Sequence, residues 1–248
     1  MSPLDFQTHT SEGASVVAIP GGYRLSIPGT NSRQYRLAQL DDYSRLPRRK
    51  FPHRSIRLRL KAKASANSLP GTWGFGLWND PFGLNLGFTG SDIRLPALPN
   101  AAWFFHASSR NYLSFRDDKP AQGFLAQTFL SRAFDWRLVR IAFNLPFRRK
   151  LARQLLSSVI QEDGKKIDID PTNWQEYQLT WNSGNCVFHV NRQIILDTNI
   201  SPKPPLGLVI WIDNQFAAFT PQGKLEFGIE AYSEPAWLEI KDLEIEYP

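Results

Sequence analysis

Apolar and polar residues alternate along Ser55–Lys63, with Ile56, Leu58, Leu60 and Ala62 on one side and Arg57, Arg59, Lys61 and Lys63 on the other. A period of two places alternate side chains on opposite faces, so this segment reads as a half-buried strand with a solvated basic face. Similar runs occur at Gly22–Ile27, Trp73–Trp78, Leu84–Thr89, Ala102–Ala107, Asn111–Phe115 and Trp136–Phe143. The C-terminal half adds Gln175–Trp181, Cys186–Val190, Gln193–Asp197, Leu206–Asp213, Leu225–Ala231 and Trp237–Tyr247. Turn chemistry separates them at Pro70-Gly71, Asn182-Ser183-Gly184 and Pro221-Gln222-Gly223. Many short strands without interleaved helices predict a two-sheet sandwich, not a doubly wound sheet.

One segment departs from that period. Phe147–Glu162 spaces Leu151, Leu155 and Val159, and Leu156 and Ile160, as a helix does, with Pro146 suited to its first turn and Gly164 to its stop. A helical insertion over about 146–163 is therefore expected. Arg148, Arg149, Lys150 and Arg153 crowd its N-terminal end, the unfavourable end of the helix dipole. The simplest reading is a helix with one face on the sandwich and a solvated basic face; the sharper alternative is contact with a membrane surface or a partner through 147–160. The basic run Arg45–Arg54 and the proline clusters Leu95–Asn100 and Ser201–Leu206 read as loops, and residues 1–248 read as one domain.

Composition narrows the function. The chain has 248 residues, a formal net charge of +6, 17 Phe, 8 Trp, 7 Tyr and a single cysteine, Cys186. One thiol excludes an intramolecular disulfide and a thiolate metal cluster, and the four histidines show no ligand spacing, so no metal and no cofactor is expected. No apolar run is long enough to cross a membrane as a helix. The first twenty residues lack the order of an export signal, and the lone thiol suits a reducing compartment, so a cytoplasmic protein is expected. The charge is mild and lacks the signatures of nucleic-acid binding. Asp117-Asp118 and Asp168-Ile-Asp170 read as solvated pairs in preference to calcium ligands.

The C-terminal order is the most informative part. It runs Trp174-Gln-Glu-Tyr177-x-Leu179-x-Trp181, then the turn Asn182–Gly184, then Cys186-Val-Phe188-His-Val190-Asn191-Arg192-x-Ile194, then Pro204-Pro205-Leu206-Gly207. This resembles the hairpin of concanavalin A-like jelly rolls, most closely the laminarinase-type, family 16 glycoside hydrolases, over about Ser55–Tyr247. The resemblance implies an all-β jelly-roll sandwich of two antiparallel sheets. It implies also that Gly74–Asp80 and Trp211–Gln215 lie on or beside the concave sheet that holds sugar in those enzymes. Those hydrolases carry E-x-D-x-(x)-E on a central strand, whereas the segment after the Trp-rich strand here, Ala101–Ser108, contains no carboxylate. The near-match Glu239, Asp242, Glu244 falls in the last strand, expected to be a structural edge, with Glu239 on the opposite face from the other two.

Alternation then selects candidate site residues. Gly74 and Gly76 beside Trp78 suggest a face that something approaches closely. His106, and Asp213 on a strand with Trp211, form the natural acid–base pair. Trp78, Asn79, Asp80, Trp103, Trp211, Asn214 and Gln215 are the ligand-binding candidates, an aromatic wall with a few hydrogen-bonding tips. Three functions follow: a non-hydrolytic binding module for a carbohydrate-like or aromatic-stackable small molecule or oligosaccharide; an enzyme that uses the cleft for non-glycosidic acid–base chemistry, as a cyclase, isomerase or lyase; and a divergent glycoside hydrolase.

Overall fold

The alternating segments pair into two seven-stranded antiparallel sheets in the computed structural model, which describes residues 5–30, 34–81, 97–131 and 149–248. The first sheet runs β1 (Gln7–Thr10), β4 (Leu37–Asp41), β13 (Gly207–Asp213), β6 (Thr72–Trp78), β7 (Ala101–Ala107), β8 (Gly123–Ser131), β9 (Ile160–Lys166). The second runs β12 (Gln193–Thr198), β11 (Cys186–Val190), β10 (Gln175–Trp181), β5 (Ile56–Ala64), β16 (Ala236–Glu246), β3 (Gly22–Ile27), β2 (Ser15–Ile19). A separate hairpin joins β14 (Gln215–Phe219) to β15 (Leu225–Ile229), and the helix α1 (Arg149–Val159) precedes β9. This is the jelly-roll sandwich that the sequence predicts, with one α-helix among the described residues.

The core lies between the sheets. Trp73, Phe75, Leu77, Phe104, Leu208 and Ile210 from the first sheet share one buried cluster with Ile56, Leu58, Leu60, Tyr177, Phe188 and Leu238 from the second. Phe75 meets Tyr177 at 5.0 Å and Phe104 meets Phe188 at 5.2 Å, both edge-on across the interface. A second apolar cluster, with Trp103, Phe105, Phe129, Leu156 and Phe219, covers the opposite, outer face of the first sheet. The first sheet is thus buried on both sides over much of its area.

Several expectations need correction. Asn111–Phe115 makes only an isolated bridge, Tyr112 to Ala218. The Asn111 amide is occupied by Gly71 O, Ser108 Oγ and Ala217 N, and this holds the segment as a loop. The helix ends at Val159, and Ile160–Lys166 continues as β9 along β8. Among its described side chains Arg153 and Leu156 are buried, while Leu155, expected on the apolar stripe, is exposed. Arg153 is far from solvated: its guanidinium donates to Ser114 O at 2.8 Å, Phe219 O at 2.6 Å and Asp117 at 2.8 Å. The expected strands Leu84–Thr89 and Trp136–Phe143, and the helix start at Pro146–Arg148, lie outside the described residues.

The last strand is no edge, for β16 sits between β5 and β3. A bulge between Lys241 and Glu244, with Asp242 at φ +52°, shifts the alternation. Glu239, opposite Lys63, and Glu244, opposite Arg59, therefore share the solvent-facing side. There they meet the basic row of β5: Glu239 pairs with Lys63 and Arg24, and Glu246 with Arg57.

Candidate functional site

Strand register assigns the outer face of the first sheet. Trp73, Phe75 and Leu77 point into the core, so Thr72, Gly74, Gly76 and Trp78 point outward. Their partners follow: Trp211 opposite Gly74 and Asp213 opposite Thr72 on β13, and Trp103 opposite Gly76 and Phe105 opposite Gly74 on β7. Farther out, Gln39 lies opposite Trp211 and Gln127 opposite Trp103.

Three indoles meet on this face. Trp78 and Trp211 lie parallel, 4° apart, with centroids separated by 6.2 Å. Trp103 tilts against both, at 5.9 Å from Trp78 and 5.7 Å from Trp211. Trp103 and Trp211 stand on strands that flank β6, so their rings meet across Gly74 and Gly76. A Cβ at Gly74 would lie 2.5 Å from Phe104 O, and one at Gly76 2.5 Å from Ala102 O. In sequence these glycines suggest room for a ligand. They serve the close approach of β7, and the chain's own indoles span the strip above them. Trp103 is buried, whereas Trp78 and Trp211 are half-buried.

Polar groups sit at two ends of the aromatic strip. At one, Trp211 Nε1 donates to Thr72 Oγ1 at 2.9 Å, and that hydroxyl donates to Asp213 Oδ1 at 2.8 Å. Asp213 also accepts from Thr72 N and from the Tyr35 hydroxyl. Burial pushes the Asp213 carboxyl up to about 7 against these donors. At the other, Gln39 Nε2 donates to Asp41 Oδ2 at 2.8 Å, and His9 Nε2 lies 3.1 Å from the same oxygen. Burial raises the Asp41 carboxyl, but the hydrogen bonds from His9 and Gln39 outweigh it and hold the group below its ordinary range.

The other candidates are placed elsewhere. His106 lies opposite Trp73, on the core side of the sheet, and stacks on that indole at 5.6 Å and 8°. Burial lowers it to about 4, and its Nδ1 has no partner. His106 and Asp213 therefore stand on opposite faces, and the expected acid–base pair does not form. Asn214 is fully buried and clips loops together, accepting from Arg36 N at 2.7 Å and donating to Gln34 O and Glu230 O at 2.9 Å. Asn79 ties the end of β6 to the loop before β7 through Leu98 O and Asn100 N, and the carbonyls of Asn79 and Asp80 accept from Arg48. Gln215 opens β14 and pairs with Ile229.

Three residues on or beside the face escape sequence reasoning: Gln39, Thr72 and Gln127. Gln39 and Gln127 are amides set into largely apolar strands, and that contrast is the available signal. Two cavities lie away from the face. One of about 290 Å³ is lined by Phe115, Arg116, Asp117, Lys150, Arg153 and neighbours; one of about 170 Å³ by Glu176, Gln178, His189 and Arg192. No cluster of three potential metal ligands occurs among the described residues.

No protein-family model matches the sequence, and no curated protein does. Solved structures do match. LamA from Zobellia galactanivorans, crystallised in variant form with laminaritriose and laminaritetraose, superposes with a TM-score of 0.55 at 13% identity, over 99% of this chain and 93% of that one. A glycoside hydrolase family 16 endo-glucanase from Bacteroides ovatus gives 0.54 at 8% identity, over 99% and 96%. LamAcat from Zobellia galactanivorans gives 0.53 at 13% identity, over 94% and 80%. At these identities the likeness is one of fold: this chain has the jelly-roll sandwich found in family 16 glycoside hydrolases.

Proposed function

We propose that the outer face of the first sheet binds a carbohydrate-like ligand without hydrolysing it. The observation that carries this reading is the pair of half-buried, parallel indoles Trp78 and Trp211, flanked by the polar groups of Thr72, Asp213 and Gln39. Pyranose rings present apolar faces that stack on indole and hydroxyls that need nearby donors and acceptors. The shared fold with a protein crystallised with laminaritriose and laminaritetraose supports the ligand class. The carboxylates speak against hydrolysis. The outward positions of β7 are Ala101, Trp103, Phe105 and Ala107. Asp41 and Asp213 are offset by four residues on paired strands, about 13 Å at ~3.3 Å per residue. The two carboxyls of a glycosidase stand about 5 to 9.5 Å apart.

Calorimetric titration with laminaritriose and laminaritetraose tests the reading. Binding by the wild type, lost or weakened by about tenfold or more in Trp78→Ala and Trp211→Ala, with the oligosaccharide recovered intact, is the expected result. Affinity unchanged in both variants overturns the assignment of the face, and release of shorter saccharides overturns the absence of hydrolysis.

A second reading rests on Asp213 itself. A carboxyl that titrates near neutrality beside an aromatic wall is a proton donor and acceptor for non-glycosidic chemistry on a hydrophobic substrate. Turnover of such a substrate, with a pH profile abolished in Asp213→Asn, favours this reading over simple binding.

A further inference from the structure

Gln127 lies in β8 with no exposed surface, and neither its Oε1 nor its Nε2 has a hydrogen-bond partner. Directly opposite on β7, Trp103 presents an indole Nε1 that also lacks one. A buried amide left unpaired on both atoms is costly, and native structures seldom keep one without a reason. On the other flank Gln127 faces Gly164, so that side of the amide carries no side chain. A Cβ there would stand 3.3 Å from Gln127 Cγ.

We infer that Gln127 and Trp103 form the inner polar anchor of the outer-face site and bind neighbouring hydroxyls of a neutral sugar ring. The inference rests on the reading of that face as a saccharide surface and adds the residues that would orient the ring. Trp103 links the anchor to the stacking surface, since its ring touches both Trp78 and Trp211. The surroundings choose the chemistry. The outward neighbours of Gln127 along its own strand are the apolar Leu125 and Phe129, surroundings in which a charged group costs more to desolvate than a neutral one. A primary amide offers an acceptor and a donor side by side. Adjacent ring hydroxyls match it, one donating to Oε1 while the next accepts from Nε2. The Trp103 N–H donates to a further ring oxygen.

The test uses Gln127→Leu and Gln127→Met, with Trp211→Ala as reference, in thermal unfolding without ligand and in titration with laminaritetraose. Both Gln127 variants should melt at or above the wild-type temperature, because the amide has no partner to lose. Their affinity for laminaritetraose should fall by about tenfold or more. Lower melting temperatures in both variants would show that the amide serves the fold, and the inference fails. Affinity lost in Trp211→Ala but kept in both Gln127 variants overturns the anchor and leaves the stacking surface standing. A wild type that binds no saccharide overturns both.

Discussion

His106 and Asp213 are buried on opposite faces of one sheet, and their titrations pull stability in opposite directions. His106 falls from 6.5 to about 4 in the fold, so the unfolded chain takes up its proton first. Its contribution is complete above about 6.5 and is lost as pH drops towards 4. Asp213 rises from 3.8 to about 7, so its neutral form is the one the fold favours. Its contribution is complete below 3.8 and is lost as pH climbs to about 7. The two slopes oppose one another between about 4 and 6.5. His106→Phe keeps the stacking on Trp73 and removes an unpaired buried nitrogen, and should melt no lower than wild type at neutral pH. Melting curves across the acid range should then show stability falling with rising pH more steeply than in the wild type. Asp213→Asn should do the reverse, with the falling limb gone and stability at pH 8 equal or higher. The pair was not legible for a separate reason. Both faces of Ala101–Ala107 are aromatic or small, so alternation separates Trp103, Phe105 from Phe104, His106 without saying which set is inward. Only the register that sets His106 against Trp73 decides it.

Among the elements, β6 was the most readable, because Trp73, Phe75 and Leu77 contrast sharply with Gly74 and Gly76. What the pattern leaves out is the neighbour: the glycines answer to the backbone of β7, which is distant in sequence. Gly74→Ala and Gly76→Ala should each cost about 2–3 kcal/mol by forcing a methyl against that backbone, a loss measurable by denaturant unfolding. β8 was missed for a related reason. Gly123–Ser131 is buried on both sides, since it packs against the core and under the second cluster, and a strand buried twice shows no alternation. The helix boundary was blurred because Leu156 and Ile160 keep helical spacing across the junction. Arg153 carries the junction's packing by bonding the carbonyls of Ser114 and Phe219, and Arg153→Met should lose about 2–3 kcal/mol by the same measurement.

At the scale of the molecule, the sandwich class and its core were legible, because inward residues of β5, β6, β10 and β13 keep period two. The meaning of the charge was not. The basic row Arg57–Lys63 looks free in sequence, yet β16 brings Glu239, Asp242 and Glu246 against it from the far end of the chain. Arg57–Glu246 and Lys61–Asp242 are exposed pairs of small individual weight, while the buried Glu239 is held by both Lys63 and Arg24. Raising the salt to about 0.5 M should therefore move the melting temperature by no more than about 2 °C.

The make-up of β7 also constrains how a carboxylate could be placed on this face. A carboxylate placed at 101, 103 or 105 would replace a buried residue packed among aromatic rings, where desolvating its charge is costly. Its removal of Trp103 would at the same time unseat the indole that spans the glycine strip. A single carboxylate introduced on that strand would have to open the aromatic layer first, and on the reading proposed above it would disturb the stacking surface itself.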